Sequence, residues 1–221
     1  GTYAEQVTVD KDVTVRGAGD DTVVKAPATM TPVNHDGPRY SVIGVPPAGD
    51  GATISDLVVD GDGRGSNTHN QFHGIGAWNA SVTIDSVRVT GIRHTPLDGA
   101  QNGRAIWADS NDELETVVVR DSTVDDFQKS GIYLDGKIDA EITGTTIEGA
   151  GPIPDIAQNG VTFIGGATGE VSDSDITGHA YTGPADADSA GVLVWQAGAV
   201  TVSGNRLDGN DRAVSAFETM G

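Results

Sequence analysis

The sequence predicts an all-β fold with one domain over residues 1–221, a parallel solenoid in which each repeat makes one coil. Three observations predict it. A pair of apolar residues five positions apart recurs six times, a short alternating strand interleaves with each pair, and both patterns share one period of 22 to 35 residues. Helical periodicity is missing, and the strand-like segments are β-branched and bounded by Gly and Asp.

The pairs run in chain order: Ile54/Val59, Ile84/Val89, Val119/Val124, Ile142/Ile147, Val171/Ile176 and Val202/Leu207. Ser, Asp, Thr and Gly stand between their members, as in Ser55-Asp56, Asp121-Ser122 and Ser203-Gly204. Five pairs are followed by an acid or Thr and then Gly: Asp60-Gly61, Thr90-Gly91, Glu148-Gly149, Thr177-Gly178 and Asp208-Gly209. The exception is Asp125-Asp126. These residues close strands and turn corners. The interleaved strands begin Gly74-Ile75, Ala105-Ile106, Gly131-Ile132, Gly160-Val161, Gly191-Val192 and Ala213-Val214, mostly behind a small residue. A coil cannot bury its own apolar face, so neighbours stack and share a core. At roughly 4.8 Å per coil, about eight coils make a rod ~40 Å long. An antiparallel sandwich also has short strands and turns, but it does not call for a five-residue apolar pair recurring in register.

Composition narrows the function classes. Acidic residues number 32 against 13 basic, for a formal charge of −19, and Asp supplies 25 of the acids while Lys supplies only 4 of the bases. Such a chain repels nucleic acid and anionic lipid unless a cation intervenes, so neither partner is expected. With no cysteine there is no disulfide scaffold, Cys-zinc site, Fe–S cluster or thiol nucleophile. No apolar run approaches 18 residues, so no helical membrane insertion is expected. Asp-rich, Lys-poor surfaces suit high salt or calcium-rich media, which points to a secreted or cell-surface protein. Strand-like residues just before Met220-Gly221 make a piece of a longer chain the expectation.

The opening Gly1-Thr2-Tyr3-Ala4-Glu5-Gln6-Val7, followed by Val13-Thr14-Val15-Arg16-Gly17, resembles the first coil of right-handed parallel β-helix proteins of the pectate-lyase-like superfamily. The runs Asp126-Phe127-Gln128-Lys129-Ser130-Gly131-Ile132 and Ile156-Ala157-Gln158-Asn159-Gly160-Val161 are similar to repeats of secreted bacterial β-helix proteins. The resemblance covers nearly the whole chain and implies the fold. It implies less about activity, because one fold hosts many chemistries.

Aligning the interleaved strands on their Ile or Val separates two faces. Ala77, Ala108, Leu134, Phe163, Val194 and Ala216 fall on the inward side. The outward columns are Gly76, Trp107, Tyr133, Thr162, Leu193 and Ser215, then Trp78, Asp109, Asp135, Ile164, Trp195 and Phe217. All three tryptophans and Tyr133 therefore share one outward face. Either Trp78, Trp107, Tyr133 and Trp195 form platforms for sugar rings, or long turns fold over and bury them.

Candidate catalytic residues lie on the same face. Asp109 and Asp135 share a column on adjacent coils, about 5 Å apart along the rod. Like charges so close suit acid–base work in a glycosidase, a bound cation, or a merely solvated pair. Lysyl or arginyl bases, often with calcium, are what the resemblance implies for a lyase. Lys129, with Arg104 and His73 nearby, fits that pattern, while pairing of Lys129 with Asp125 or Asp126 is the alternative. The galacturonase motifs of the superfamily are absent. Asp60-Gly61-Asp62-Gly63 alternates acids and glycines, so Asp60 and Asp62 are the candidate calcium ligands. Asp173/Asp175 and Asp186/Asp188 share the spacing but are weaker candidates.

The expected function is thus polysaccharide binding, or processing as a lyase, epimerase or hydrolase. The chain's charge favours a neutral glycan, or an acidic one bridged by calcium. A non-catalytic structural or adhesive solenoid is the alternative. Open sheet edges at the ends would be capped by flanking segments or by an oligomer.

Overall fold

The computed structural model describes residues 1–67 and 71–217, and no α-helix occurs among them. The strands stack in parallel ladders that close into a solenoid with three walls. Strands of the first wall include Pro38–Val45, Phe72–Trp78, Asn159–Ile164, Ala190–Trp195 and Arg212–Phe217. The strands Arg104–Arg120 and Ser130–Thr143 run unbroken from the first wall into the second, and their pairing slips between Ser110 and Glu115 where the chain turns. Thr123–Val124, Thr146–Ile153 and Asp175–Tyr181 lie in the third wall, a separate seven-stranded sheet. Among the named strand pairs, only Val33–Asn34 against Pro38–Val45 is antiparallel.

The two sequence patterns map onto these walls residue for residue. The first members of the apolar pairs form one ladder: Ile54, Ile84, Val119, Ile142, Val171 and Val202 are register partners in turn. Val59, Val89, Val124, Ile147 and Ile176 form another, in the third wall. The five-residue spacing is a corner. Two residues past each first member the chain enters the left-handed region, at Asp56 (φ 54°), Ser86 (56°), Asp121 (50°), Gly144 (59°), Asp173 (49°) and Gly204 (67°). Only Gly and a few short polar residues accept that conformation cheaply. Asp126, the exception to the Gly rule, has φ 46° and so does the work of Gly91 (70°) and Gly178 (76°).

The small residue that leads each interleaved strand is a packing requirement. A Cβ on Gly74 would stand 2.4 Å from Val89 Cγ1, and one on Gly160 would stand 2.4 Å from Ile176 Cγ2. These glycines touch the third wall directly. Inside, Ile75, Ile106, Ile132, Val161 and Val192 are almost wholly buried and stack in register with Leu134, Phe163 and the apolar-pair ladders. The strand Pro38–Val45 belongs to the same ladder, with Ile43 opposite Ile75. It escapes the sequence pattern because Val42, not a small residue, precedes Ile43. Buried glutamines tie the loops on. Gln128 accepts a bond from the His94 N–H and donates to Asp98 Oδ1, and Gln158 donates to the Phe127 carbonyl.

Candidate functional site

The outward columns hold as read. Trp107 pairs with Gly76 and Tyr133, Asp109 pairs with Trp78 and Asp135, and Ile164 pairs with Trp195. Along the rod, this face divides into a sealed half and an open half.

In the sealed half, residues 31–39 fold across the first wall. The His35 ring lies 6.4 Å from Trp78 and 5.9 Å from Trp107, and the Arg39 guanidinium sits 4.9 Å from the Trp107 ring. Beneath them His73 stacks on Trp107 at 4.7 Å. Trp107 keeps only 2% of its surface and Trp78 8%. Neither ring is the platform expected for sugar, because the loop already occupies its face. His73 is fully buried, and neither ring nitrogen has a hydrogen-bond partner among the described residues. Burial, reinforced by Arg104 and Arg39, holds its pKa well below the ordinary value. A sealed, neutral imidazole cannot meet a substrate, so His73 is a packing residue and not a catalytic one.

Asp109 is covered as well. Its Oδ2 lies 3.0 Å from His35 Nε2, and it is 7% exposed. Burial raises the pKa of Asp109, and burial followed by the nearby Asp109 charge raises that of Asp135. The two carboxylates are neighbours as expected, but Asp109 is nearly sealed and Asp135 is half-buried. The pair does not present two accessible groups to a glycosidic bond.

The open half begins where the loop ends. A pocket of about 280 Å³ is lined by Gln101, Arg104, Lys129, Tyr133 and Trp195, among others. Trp195 is 43% exposed. The Arg104 guanidinium lies 4.0 Å from the Tyr133 ring, and its Nη1 donates to Gln71 Oε1. Lys129 Nζ donates to the Ala157 carbonyl at 2.7 Å, and burial, then the Arg104 charge, lowers the amine to about 8. A second pocket of about 400 Å³ shares Lys129 and Leu193 and continues to Ser215 and Phe217. Together they make a groove parallel to the rod axis that crosses five strands. Over four strand spacings that is ~19 Å.

Arg104, Lys129, Tyr133 and Trp195 are thus brought together, while His73, Trp78, Trp107 and Asp109 lie under the cover. Asp60 and Asp62 stand apart, at a corner. Lys25 Nζ approaches Asp62 Oδ1 at 2.7 Å and Asp60 Oδ2 at 3.6 Å, and Arg64 Nη2 meets Asp62 Oδ2 at 2.8 Å. The hydrogen bond from Lys25 leads in holding Asp62 below the usual carboxylate range. Lysine and arginine fill the place expected for calcium. The sequence reading missed His35, Arg39, Gln71 and Gln101. All four lie outside the repeated patterns, so no spacing marks them.

A family model described as right handed beta helix region matches residues 104–219, just over half of the chain. That stretch includes Arg104, Lys129, Tyr133 and Trp195 of the open pocket, while Gln101 precedes it. No curated protein and no solved structure matches the chain. With its stacked parallel ladders and this match, the chain belongs to the right-handed β-helix family.

Proposed function

We propose that the open groove binds a polysaccharide lying along the rod, and that Lys129 is the base of a proton-abstracting lyase or epimerase. The pocket itself carries this reading. It joins an exposed indole, a phenol and two cations in a chain that is otherwise strongly acidic. Trp195 offers a flat apolar face to a sugar ring. Arg104 and Lys129 supply local positive charge, so an acidic sugar is accepted there without calcium. This revises the preference for neutral or calcium-bridged glycans drawn from net charge alone. A secreted or surface location belongs to the same proposal.

In the proposed step the neutral Lys129 amine takes the proton on C5 of a uronate and becomes an ammonium. The electron pair passes into the carboxylate, where Arg104 offsets the added charge. The C4–O bond then breaks and the freed oxygen takes a proton from water, or a proton returns to the opposite face. With the Lys129 pKa at about 8, kcat/KM rises from pH 6.5 and levels off above about 8.5.

Polyuronates and neutral polymers, each with and without calcium, test the reading by binding and turnover. Trp195→Ala should weaken binding roughly tenfold, about 1.4 kcal/mol. Lys129→Met should lower turnover by at least about 100-fold while binding persists. Turnover that survives Lys129→Met sinks the catalytic assignment. Absence of binding to every polymer sinks the whole reading and favours a structural or adhesive solenoid, an alternative that the sealing of Trp78 and Trp107 already supports.

A further inference from the structure

The loop that seals the face also carries ligating atoms to it. One atom each from His35, Asp36 and Asp109 lie within 4.8 Å of one another. We infer that these three residues bind a divalent transition-metal ion, zinc foremost, which pins residues 31–39 over the first wall.

Geometry supports the site first. Zinc holds imidazole nitrogen and carboxylate oxygen at about 2.0–2.2 Å, so adjacent ligand atoms stand ~3.0–3.5 Å apart. His35 Nε2 and Asp109 Oδ2 already have that spacing, at 3.0 Å. Asp36 has to close by no more than about 1.5 Å, and it sits on an exposed turn.

Charge supports it next. Asp36 and Asp109 are two carboxylates drawn together beside one imidazole. Among the described residues no Lys or Arg forms an ion pair with either, whereas Asp60 and Asp62 are both served by Lys25. The Arg39 guanidinium is nearby, but its Nε donates to the His35 carbonyl and its Nη1 to Gln71 Oε1. A cation between the carboxylates relieves their repulsion, and the imidazole selects a transition metal over calcium or magnesium.

Outer groups hold the acid in place. Asn111 Nδ2 donates to Asp36 Oδ2 at 2.9 Å, and the Asn111 N–H is held by Asn79 Oδ1. Outer hydrogen bonds of this kind orient metal ligands. Three protein ligands leave at least one coordination position for water. The ion would join positions 35 and 36 to position 109, closing a long loop.

The test uses the whole chain after chelator treatment and needs no glycan, so its outcome is independent of the groove proposal. Calorimetric titration with zinc should give one ion per chain at micromolar affinity or tighter, with calcium at least about tenfold weaker. Nickel should quench tryptophan emission, because His35 lies against both Trp78 and Trp107. Asp36→Asn, on an exposed residue whose loss leaves the core intact, and Asp109→Asn, which keeps a hydrogen-bond acceptor for His35, should each weaken zinc by at least about tenfold. Zinc should raise the melting temperature of the parent chain and not of either variant. Failure to bind zinc at millimolar concentration overturns the inference. So does calcium affinity equal to that for zinc, or zinc binding that both variants leave unchanged.

Discussion

All three tryptophans stand in the outward columns, Trp107 in the first and Trp78 and Trp195 in the second, but only Trp195 is open to solvent. Its ring should therefore account for nearly all acrylamide-quenchable emission. Trp195→Phe should leave a spectrum that is blue-shifted and resistant to quencher. Strong residual quenching would mean that residues 31–39 do not cover Trp78 and Trp107 in solution. A second residue-scale effect concerns His179, fully buried with Nδ1 against Asn210 Oδ1 at 2.8 Å. Burial, only partly offset by that bond, lowers its pKa from 6.5 to about 4. Above pH 6.5 the ring is neutral whether the chain is folded or not, and no penalty applies. Below 6.5 the unfolded chain takes up the proton first, so stability falls with pH until about 4, and His73 acts with the same sign. Between pH 7.5 and 5 the loss assigned to His179 is roughly 2 kcal/mol. Urea melts at the two pH values should show the parent chain losing that much more than His179→Gln. Equal losses would remove His179 as the acid-sensitive group.

The one-residue corner is the element that sets the five-residue spacing. Gly144 and Gly204 occupy it at φ 59° and 67°, and Cβ atoms there would stand 2.7 Å and 2.5 Å from the carboxylate oxygens of Asp121 and Asp173 on the preceding coil. Gly144→Val should cost roughly 1–3 kcal/mol in chemical denaturation, and Gly144→Asn clearly less, because Asn tolerates the left-handed conformation. Equal costs would show that volume, not backbone strain, decides the position. The corner also explains what the sequence made legible. An apolar side chain before and after a corner must point inward, so Ile54/Val59 and its successors repeat rigidly, and register follows. The loop over the first wall obeys no such rule. Residues 31–39 reach Asp109 and Trp107 across about 70 positions of chain, and nothing in the spacing of His35 or Arg39 announces the contact. The face of the tryptophans could be read from period two. Their exposure could not, because it depends on a loop that lies outside the repeat. Lys129 and Arg104 were legible as scarce cations beside a core strand, and their proximity follows from adjacent coils.

At the scale of the molecule, each coil is held by its two neighbours, so stability is a sum of coil and interface contributions and need not be uniform along the rod. Pairing across coils is visible at the corners, where Arg88 meets Asp125, Arg120 meets Asp85 and Arg206 meets Asp175. These pairs are exposed and contribute little each, so the gradient should follow core burial. Ile75, Ile106, Ile132 and Val161 are at most 1% exposed, and Val192 is also sealed. One strand further, Val214 is 44% exposed and Phe217 58%, while Val200, Val202 and Leu207 are only partly covered. Burying less apolar surface leaves the strands Val200–Ser203 and Arg212–Phe217 with less to hold their hydrogen bonds closed. In the 221-residue chain, native-state amide exchange should be fastest in these two strands and slowest at residues 106–108 and 132–134. The difference should span at least about 2 kcal/mol in opening free energy. Uniform protection along the first wall would show instead that the coils open together, and that the interfaces between them outweigh the burial within each.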